Sequence, residues 1–487
     1  MDFVGIKLKQ REYDVIALFI MLLSLVCYLL ISIVNHQMFR TYAIDLGIVN
    51  NAVYSYSHFK LNYGCVFQQE HINVLARHFD WQLMFFAPLS YLLGSYTMLV
   101  VQALAAAFGG IGVYKFVGCC TKSPVIQLLS LVFFYCYFAV WHALSMDYHS
   151  SVVSAMVLPW FLYAFKIRKY KLSSFLMLFI ISGGEAMAMW AFFISIALIF
   201  DYRSDNKSVR LLIGYAIFSL FYYFIVTLCI MPWLGGEHAF SDWQYSKWGN
   251  SMLQVVASAF AHPIEALRQL FVNTVGVPRG EYVKVEFWLT LMLSGAIILL
   301  VKPNYFIMMI PLVAAKMFTE SPGCWSIAYH YNIGFAPIVA AGAFCVVGKI
   351  KNSAIAKIFA CGAAMASIVS TFYTINNPQF YLAQNRVRFY TDDHYFRPDI
   401  NVDIGHHMIE NVDDTSAVCV TSCMLPHLAM REKVYSFPNI ADARYVITKV
   451  HPLPPVEGSP ADVDSLKKSK DWKILMHGGD LIMFERR

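Results

Sequence analysis

Leu172 to Phe200 is an apolar run interrupted once, at Ser182-Gly-Gly-Glu185, and the reading of that interruption decides the fold. Unbroken, the run is well beyond the roughly 20 residues that span a bilayer. It is flanked by two basic clusters, Lys166-Ile-Arg-Lys-Tyr-Lys171 and Arg203 to Arg210. Short basic connections stay on the cytoplasmic side. One crossing would put the two clusters on opposite sides, whereas two crossings put both inside. Gly-Gly is a natural turn, so the sequence predicts a hairpin of helices at about 172–182 and 186–200, with Glu185 at its outward tip.

The other apolar runs are 13–34, 96–117, 125–141, 151–166, 211–233, 286–301, 304–318, 331–348 and 354–375. With the hairpin they make about eleven transmembrane helices. Lys7, Lys9 and Arg11 before the first run place the N-terminus in the cytoplasm, and an odd number of crossings places the C-terminal part outside it. Composition agrees. Apolar residues are 58% and charged residues 14%, against about 45–50% and about 25% in soluble chains. A soluble protein, a disordered chain and a coiled coil are excluded by those values together with 38 Phe, 29 Tyr and 10 Trp.

Charge divides the chain. Residues 1–375 carry 24 Lys/Arg and 16 Asp/Glu, and residues 376–487 carry 13 and 15 in less than a third of the length. The expectation is a membrane module, 1–375, with long outward loops at 35–95 and 234–285, and a soluble α/β domain, 376–487. In the tail the pattern predicts a helix at 403–411, a strand at 415–425, a short helix at 426–431, strands at 433–437 and 444–450, a helix near 460–470 and a hairpin over 472–486. Most of the eleven cysteines, such as Cys27, Cys136, Cys229 and Cys361, lie in apolar runs, so no disulfide framework is expected. Cys419 and Cys423, four apart in a strand, would be too distant to bridge. There is no internal repeat, phosphate-binding glycine loop, Cys-x-x-Cys site or nucleic-acid signature.

On this topology Asp45, Asp147, His149, Glu185, Lys316, Glu320 and His330 all fall at the outward ends of helices or in the loops joining them. Charges at such depth are costly unless paired or lining a wet cavity, which points to a cavity open to the outside; the alternative is charges at headgroup level. Asp45, in Tyr42-Ala-Ile-Asp-Leu-Gly47, is either a base or a helix cap. Glu185 is a binding group or a polar turn residue. His71 and His78 are seven apart, about 10 Å along a helix, too far to share a metal, so no metal is expected and a hydrogen-bonding role is favoured. His330 and Tyr331, in Tyr329-His-Tyr331, suit a phosphate or sugar as well as an interface. Lys316 either snorkels or clamps a lipid phosphate.

The run Tyr42 to Asn51, Asn73-Val-Leu-Ala-Arg-His-Phe79, Phe86-Ala-Pro-Leu-Ser-Tyr91, Asp147-Tyr-His149, Glu185, Tyr329-His-Tyr331, Pro426-His-Leu-Ala-Met-Arg431, Tyr435-Ser-Phe-Pro438 and Ala443-Arg-Tyr-Val446 resemble the bacterial membrane protein family called domain of unknown function 2079. That family is similar to the C-type glycosyltransferases, GT-C. The resemblance implies a GT-C-like fold in the bacterial inner membrane and transfer of a sugar from a polyprenyl-phosphate donor to a glycan, lipid or protein acceptor outside the cytoplasm. Asp45 is then the catalytic base. His78, Asp147, His149, Glu185, Lys316, Glu320, His330 and Tyr331 are donor or substrate contacts. Glu185 falls where the family has Lys-Glu-Asp, but its neighbours here are Gly184 and Ala186. Direct displacement would invert the anomeric carbon, with no cofactor or nucleotide site. The rival readings are a flippase for lipid-linked substrates, which predicts inverted repeats, and a non-enzymatic membrane component, which leaves Asp45 without a purpose.

Overall fold

Gly184 sits at φ +130°, backbone that side chains rarely adopt, and there the long apolar run breaks: helix Tyr170–Ile181 ends before it and helix Glu185–Tyr202 begins after it. The computed structural model describes residues 9–487 except 65, 68–71, 237–238, 240–242, 279, 379–383, 397, 399 and 453–457. Among these, seven helical stretches are long and apolar enough to cross a membrane: Gln10–Gln37, Leu83–Gly118, Pro124–Ser145, Glu185–Tyr202, Asn206–Gly235, His330–Val347 and Ser353–Asn376. Ser150–Lys166, Tyr170–Ile181, Met252–Ala261 and Asn304–Met317 are shorter apolar helices.

The helices pack against both sequence neighbours and distant partners. Glu185–Tyr202 lies against Asn206–Ile225 and Asn304–Met317, while Thr97–Gly118 lies against Ser150–Lys166 and the first helix. Their shared core buries Phe133, Trp190 and Tyr305 almost completely. The opposite faces stay apolar: Val15, Leu18, Phe19, Leu22 and Val26 of the first helix are all exposed. Such a stripe is stable only against lipid.

Two expected spans differ. The 286–301 run is a helix, Val283–Leu293, followed by a 3-10 segment, Ala296–Val301, because Gly295 at φ +117° turns the chain between them. The 211–233 run widens into a π segment at Val226–Ile230 before a last turn, Met231–Gly235. The 234–285 loop carries two short helices, Met252–Ala261 and Pro263–Gln269.

The 35–95 loop holds a two-residue antiparallel ladder, β1 (Tyr63–Gly64) with β2 (Ile72–Asn73). The tail is a five-stranded sheet of β3 (Val418–Val420), β4 (Val434–Ser436), β5 (Tyr445–Lys449), β6 (Trp472–Gly478) and β7 (Leu481–Arg486) in the order β4-β3-β5-β7-β6. β3 runs parallel to β4 and β5, and the β6–β7 hairpin is antiparallel. Helices Val402–Glu410, Leu425–Leu428 and Pro460–Lys468 complete it. The strand expected over 415–425 is only three residues long, because beyond Thr421, whose N–H still donates to the Ile447 carbonyl, the chain turns so that Ser422 meets Ala43 and helix Leu425–Leu428 begins. Cys419 and Cys423 are both buried. Contrary to the sequence expectation, among the described residues one disulfide is present: Cys120, just after helix Thr97–Gly118, pairs with Cys345 in helix Phe335–Val347, their Cα atoms 5.3 Å apart.

The tail is packed onto the membrane module. Phe39, Ala43 and Val66 from the 35–95 loop share a buried core with Val418, Val420, Leu425 and Met483 of the tail.

Candidate active site at the outward end

Asp45 sits in a π turn, Ala43–Gly47, that opens directly into helix Ile48–Ser57. π turns are rare and recur at functional sites. The turn is gripped from both sides. On the membrane side Asp147 Oδ2 accepts from Tyr42 N–H at 2.7 Å and Leu46 N–H at 3.4 Å, so the capping of this turn falls to Asp147. On the tail side Ser422 Oγ accepts from Ala43 N–H at 3.2 Å. At Gly47 an added Cβ would meet Leu425 Cδ2 at 2.5 Å, so only glycine admits this approach of the tail helix. Asn50 and Asn51, one turn on, donate to the carbonyls of Pro426, Ala429 and Arg431. The segment Pro426 to Arg431 thus shapes the site from outside.

Asp45 itself is half-buried and close enough to act electrostatically on both Asp147 and Tyr331. Asp147 is 1% exposed. Burial pushes its carboxyl up to about 6, with the adjacent guanidinium of Arg386 pulling the other way and Asp45 adding to the rise. His149 stacks on His330 with ring centroids 3.3 Å apart, and His330 lies 4.0 Å from the Tyr331 ring. Burial pushes the His149 imidazole down to about 4, opposed by the charge of Asp147. Neither His149 Nε2 nor His330 Nδ1 has a hydrogen-bond partner among the described residues.

Glu185 begins its helix, where the carboxylate meets the N-terminal amides. It accepts from Phe79 N–H at 3.0 Å and lies 3.2 Å from His78 Nδ1. The hairpin tip and the end of the first outward loop are therefore joined. Gln82 strengthens the joint, donating its N–H to the Ser182 carbonyl and its side-chain amide to the Ser150 carbonyl. His71 lies outside the described residues.

Asp80 belongs to the same layer, although its sequence context did not distinguish it. One oxygen accepts from Ser150 Oγ at 2.7 Å, and the other is buried with no partner among the described residues. Burial pushes this carboxyl up to about 7 against the hydrogen bond from Ser150 and the nearby His78. The only hint in the sequence was an acid beside Trp81 in an apolar context.

Lys316 is 2% exposed, and its ammonium donates to the carbonyls of Cys324 at 2.6 Å and Ser326 at 2.7 Å, over the Phe287 ring. It fastens the connection that leads to His330 and places a positive charge near that ring. Lys284, a second buried lysine not singled out in the sequence, donates likewise to the carbonyls of Gln269 and Met317. Glu320 accepts from Lys247 N–H at 2.7 Å and from Ser246 Oγ, tying the second outward loop to the same connection.

The structure thus gathers Asp45, Asp147, His149, His330 and Tyr331 into one group, joins His78 to Glu185 beside it, and leaves Lys316 and Glu320 bonded to the loops that frame it. Among the described residues no set of three or more His, Cys, Asp or Glu is arranged to hold a metal ion. Buried polar atoms without protein partners are expensive. Here they include a carboxyl oxygen of Asp80 and ring nitrogens of His149 and His330, groups able to hydrogen-bond a hydroxyl.

The fold has a solved counterpart. The crystal structure of ArnT from Cupriavidus metallidurans bound to undecaprenyl phosphate superposes with a TM-score of 0.52 at 10% identity, covering 97% of each chain. At that identity the likeness concerns the fold, which is GT-C-like as the sequence resemblance implied. No curated protein matches the chain. The family model "Predicted membrane protein (DUF2079)" matches residues 35–457, and the chain belongs to that family.

Proposed function

We propose that this protein is a glycosyltransferase that moves a sugar from a polyprenyl-phosphate donor to a glycan, lipid or protein acceptor at the outer face of the bacterial inner membrane. The observation that carries this reading is the gathering of Asp45, the His149–His330 pair and the unpartnered Asp80 oxygen at one end of a GT-C-like bundle. In the reaction an acceptor hydroxyl attacks the anomeric carbon from the face opposite the phosphate. Asp45 takes the hydroxyl proton as the new C–O bond forms, and the bond to the phosphate oxygen breaks with inversion. The positive field of Lys316, relayed past His330, stabilises the charge gathering on the leaving phosphate. His78, Glu185 and Tyr331 contact the sugar or acceptor, with Asp147 and His149 setting the polarity around the base.

The same reading sets eleven crossings, N-terminus inside and tail outside. A reporter fused after Lys351 should read cytoplasmic and one after Arg487 external; the same side for both would refute it. For the activity, a strain lacking the protein should accumulate a polyprenyl-phosphate sugar that the wild-type gene clears and an Asp45→Asn gene does not. No change in lipid-linked sugars would reject the reading.

A further inference from the structure

Between the last long helix, Ser353–Asn376, and the tail sheet lies a short 3-10 turn. At the 3-10 turn Gln384–Arg386, the Arg386 guanidinium donates to Asp147 Oδ1 at 2.9 Å, with the two side chains 9% and 1% exposed. The same guanidinium lies 5.3 Å over the Tyr42 ring, and the Arg386 carbonyl accepts from the Asn35 side chain at 2.8 Å. Asp147's second oxygen holds the Tyr42 and Leu46 amides, the two ends of the turn that carries Asp45. One carboxylate therefore bridges a guanidinium of the linker and the backbone of the turn, groups more than 300 residues apart in sequence.

We propose that Arg386 is a positioning residue for Asp45, acting through Asp147: it keeps the Asp147 carboxylate aimed so that the second oxygen fixes the turn. The proposal rests on the reading of Asp45 as the base. Its physical basis is the asymmetry of buried ion pairs. A carboxylate 1% exposed that loses its guanidinium takes up a proton or swings toward water, and either change weakens its hold on two amides at once. The consequence is that the linker to the tail is part of the site, so the tail cannot be removed without loosening the turn.

The test has two arms on the full-length protein. In the first, hydrogen exchange read by mass spectrometry follows the peptide spanning 42–47. Arg386→Gln should accelerate its exchange about tenfold or more, because two carboxylate-bound amides lose their acceptor, while β3 and β5 keep wild-type exchange. Arg386→Lys should fall between, since charge survives but the planar fork does not. Should Arg386→Gln fail to fold, Asp147→Asn, which keeps the size but releases the guanidinium, must show the same acceleration. Unchanged exchange at 42–47 in either variant overturns the proposal. In the second arm, turnover of a polyprenyl-phosphate sugar by Arg386→Gln should lose about 10–100-fold in kcat with donor KM within about twofold, as expected when a base is misplaced, and Arg386→Lys should partly recover it. A wild type that turns over the donor alongside an Arg386→Gln variant of equal kcat also overturns it. A wild type without turnover counts against Asp45 as base, and the exchange arm then decides the positioning claim alone.

Discussion

The two ends of the helix bundle carry similar charges in opposite settings. At the end away from Asp45 the ions are paired at or near the surface: Arg168 with Asp205 at 3.2 Å, the arginine 73% exposed, and Lys302 with Asp201 at 2.6 Å, both partly exposed. At the outward end Asp80, Asp147 and Lys316 are all at least nine-tenths buried and held by hydrogen bonds. Surface pairs contribute little to stability, and their basic members serve to orient the chain. Buried ions in an otherwise apolar bundle are destabilising unless something requires them, and this supports the proposal that the chemistry belongs to the end that carries Asp45.

The comparison is broken most sharply by paired carboxylate changes. Asp45→Asn should lower sugar transfer by about 10²–10⁴, the usual contribution of a general base, whereas Asp201→Asn at the inward end should stay within a few-fold. Radiolabelled transfer in membranes, normalised to protein level, measures both. Equal effects would dissolve the distinction between the ends.

The next effect concerns pH at the junction of tail and bundle. The His427 ring stacks on His36 with centroids 3.8 Å apart, His406 meets it edge-on, and Phe39 packs against both tail rings. Burial, aided by His406, pushes His427 down to about 3. A histidine depressed in the docked state contributes stability above its free value near 6.5 and loses it as pH falls. Each unit below about 6.5 should weaken docking up to tenfold per such histidine. Limited proteolysis of the tail should therefore speed up between pH 7.5 and 4.5, and His427→Gln should flatten that dependence; a pH-independent rate in the wild type would contradict it.

Smaller still is the effect of Lys316→Gln, which leaves a carbonyl of Cys324 or Ser326 without its donor and should destabilise the protein by about 1–3 kcal/mol, read as a lower thermal midpoint. An unchanged midpoint would mean the ammonium is not the brace of the His330 connection. The smallest is Arg168→Gln, expected to shift stability by less than about 1 kcal/mol and transfer not at all. A larger loss would show the inward pairs to be structural after all.

Much of the architecture was legible. Apolar run length and Gly183-Gly184 place the hairpin break, and alternating strands with turn residues place every tail strand, because these signals are local. Gly295 was legible in principle as a helix breaker inside 286–301 but was outweighed by the apolar run around it. The candidate site was legible as a layer of ions and not as a set of contacts. Asp147 reads the same in sequence whether it meets a sugar or the Tyr42 amide, and Lys316 reads the same whether it faces lipid phosphate or two carbonyls. Arg386, His427 and the Cys120–Cys345 pair became visible only in three dimensions, since their partners lie 239, 391 and 225 residues away.

We propose that the end carrying Asp45 transfers sugar from a lipid-phosphate donor. Purified protein in liposomes, given a panel of polyprenyl-phosphate sugars and acceptors, should release free polyprenyl phosphate from one donor in step with a glycosylated product, and Asp45→Asn protein of the same fold should release none above background. Release at equal rates by wild type and Asp45→Asn, or every donor left intact by the wild type, would contradict it.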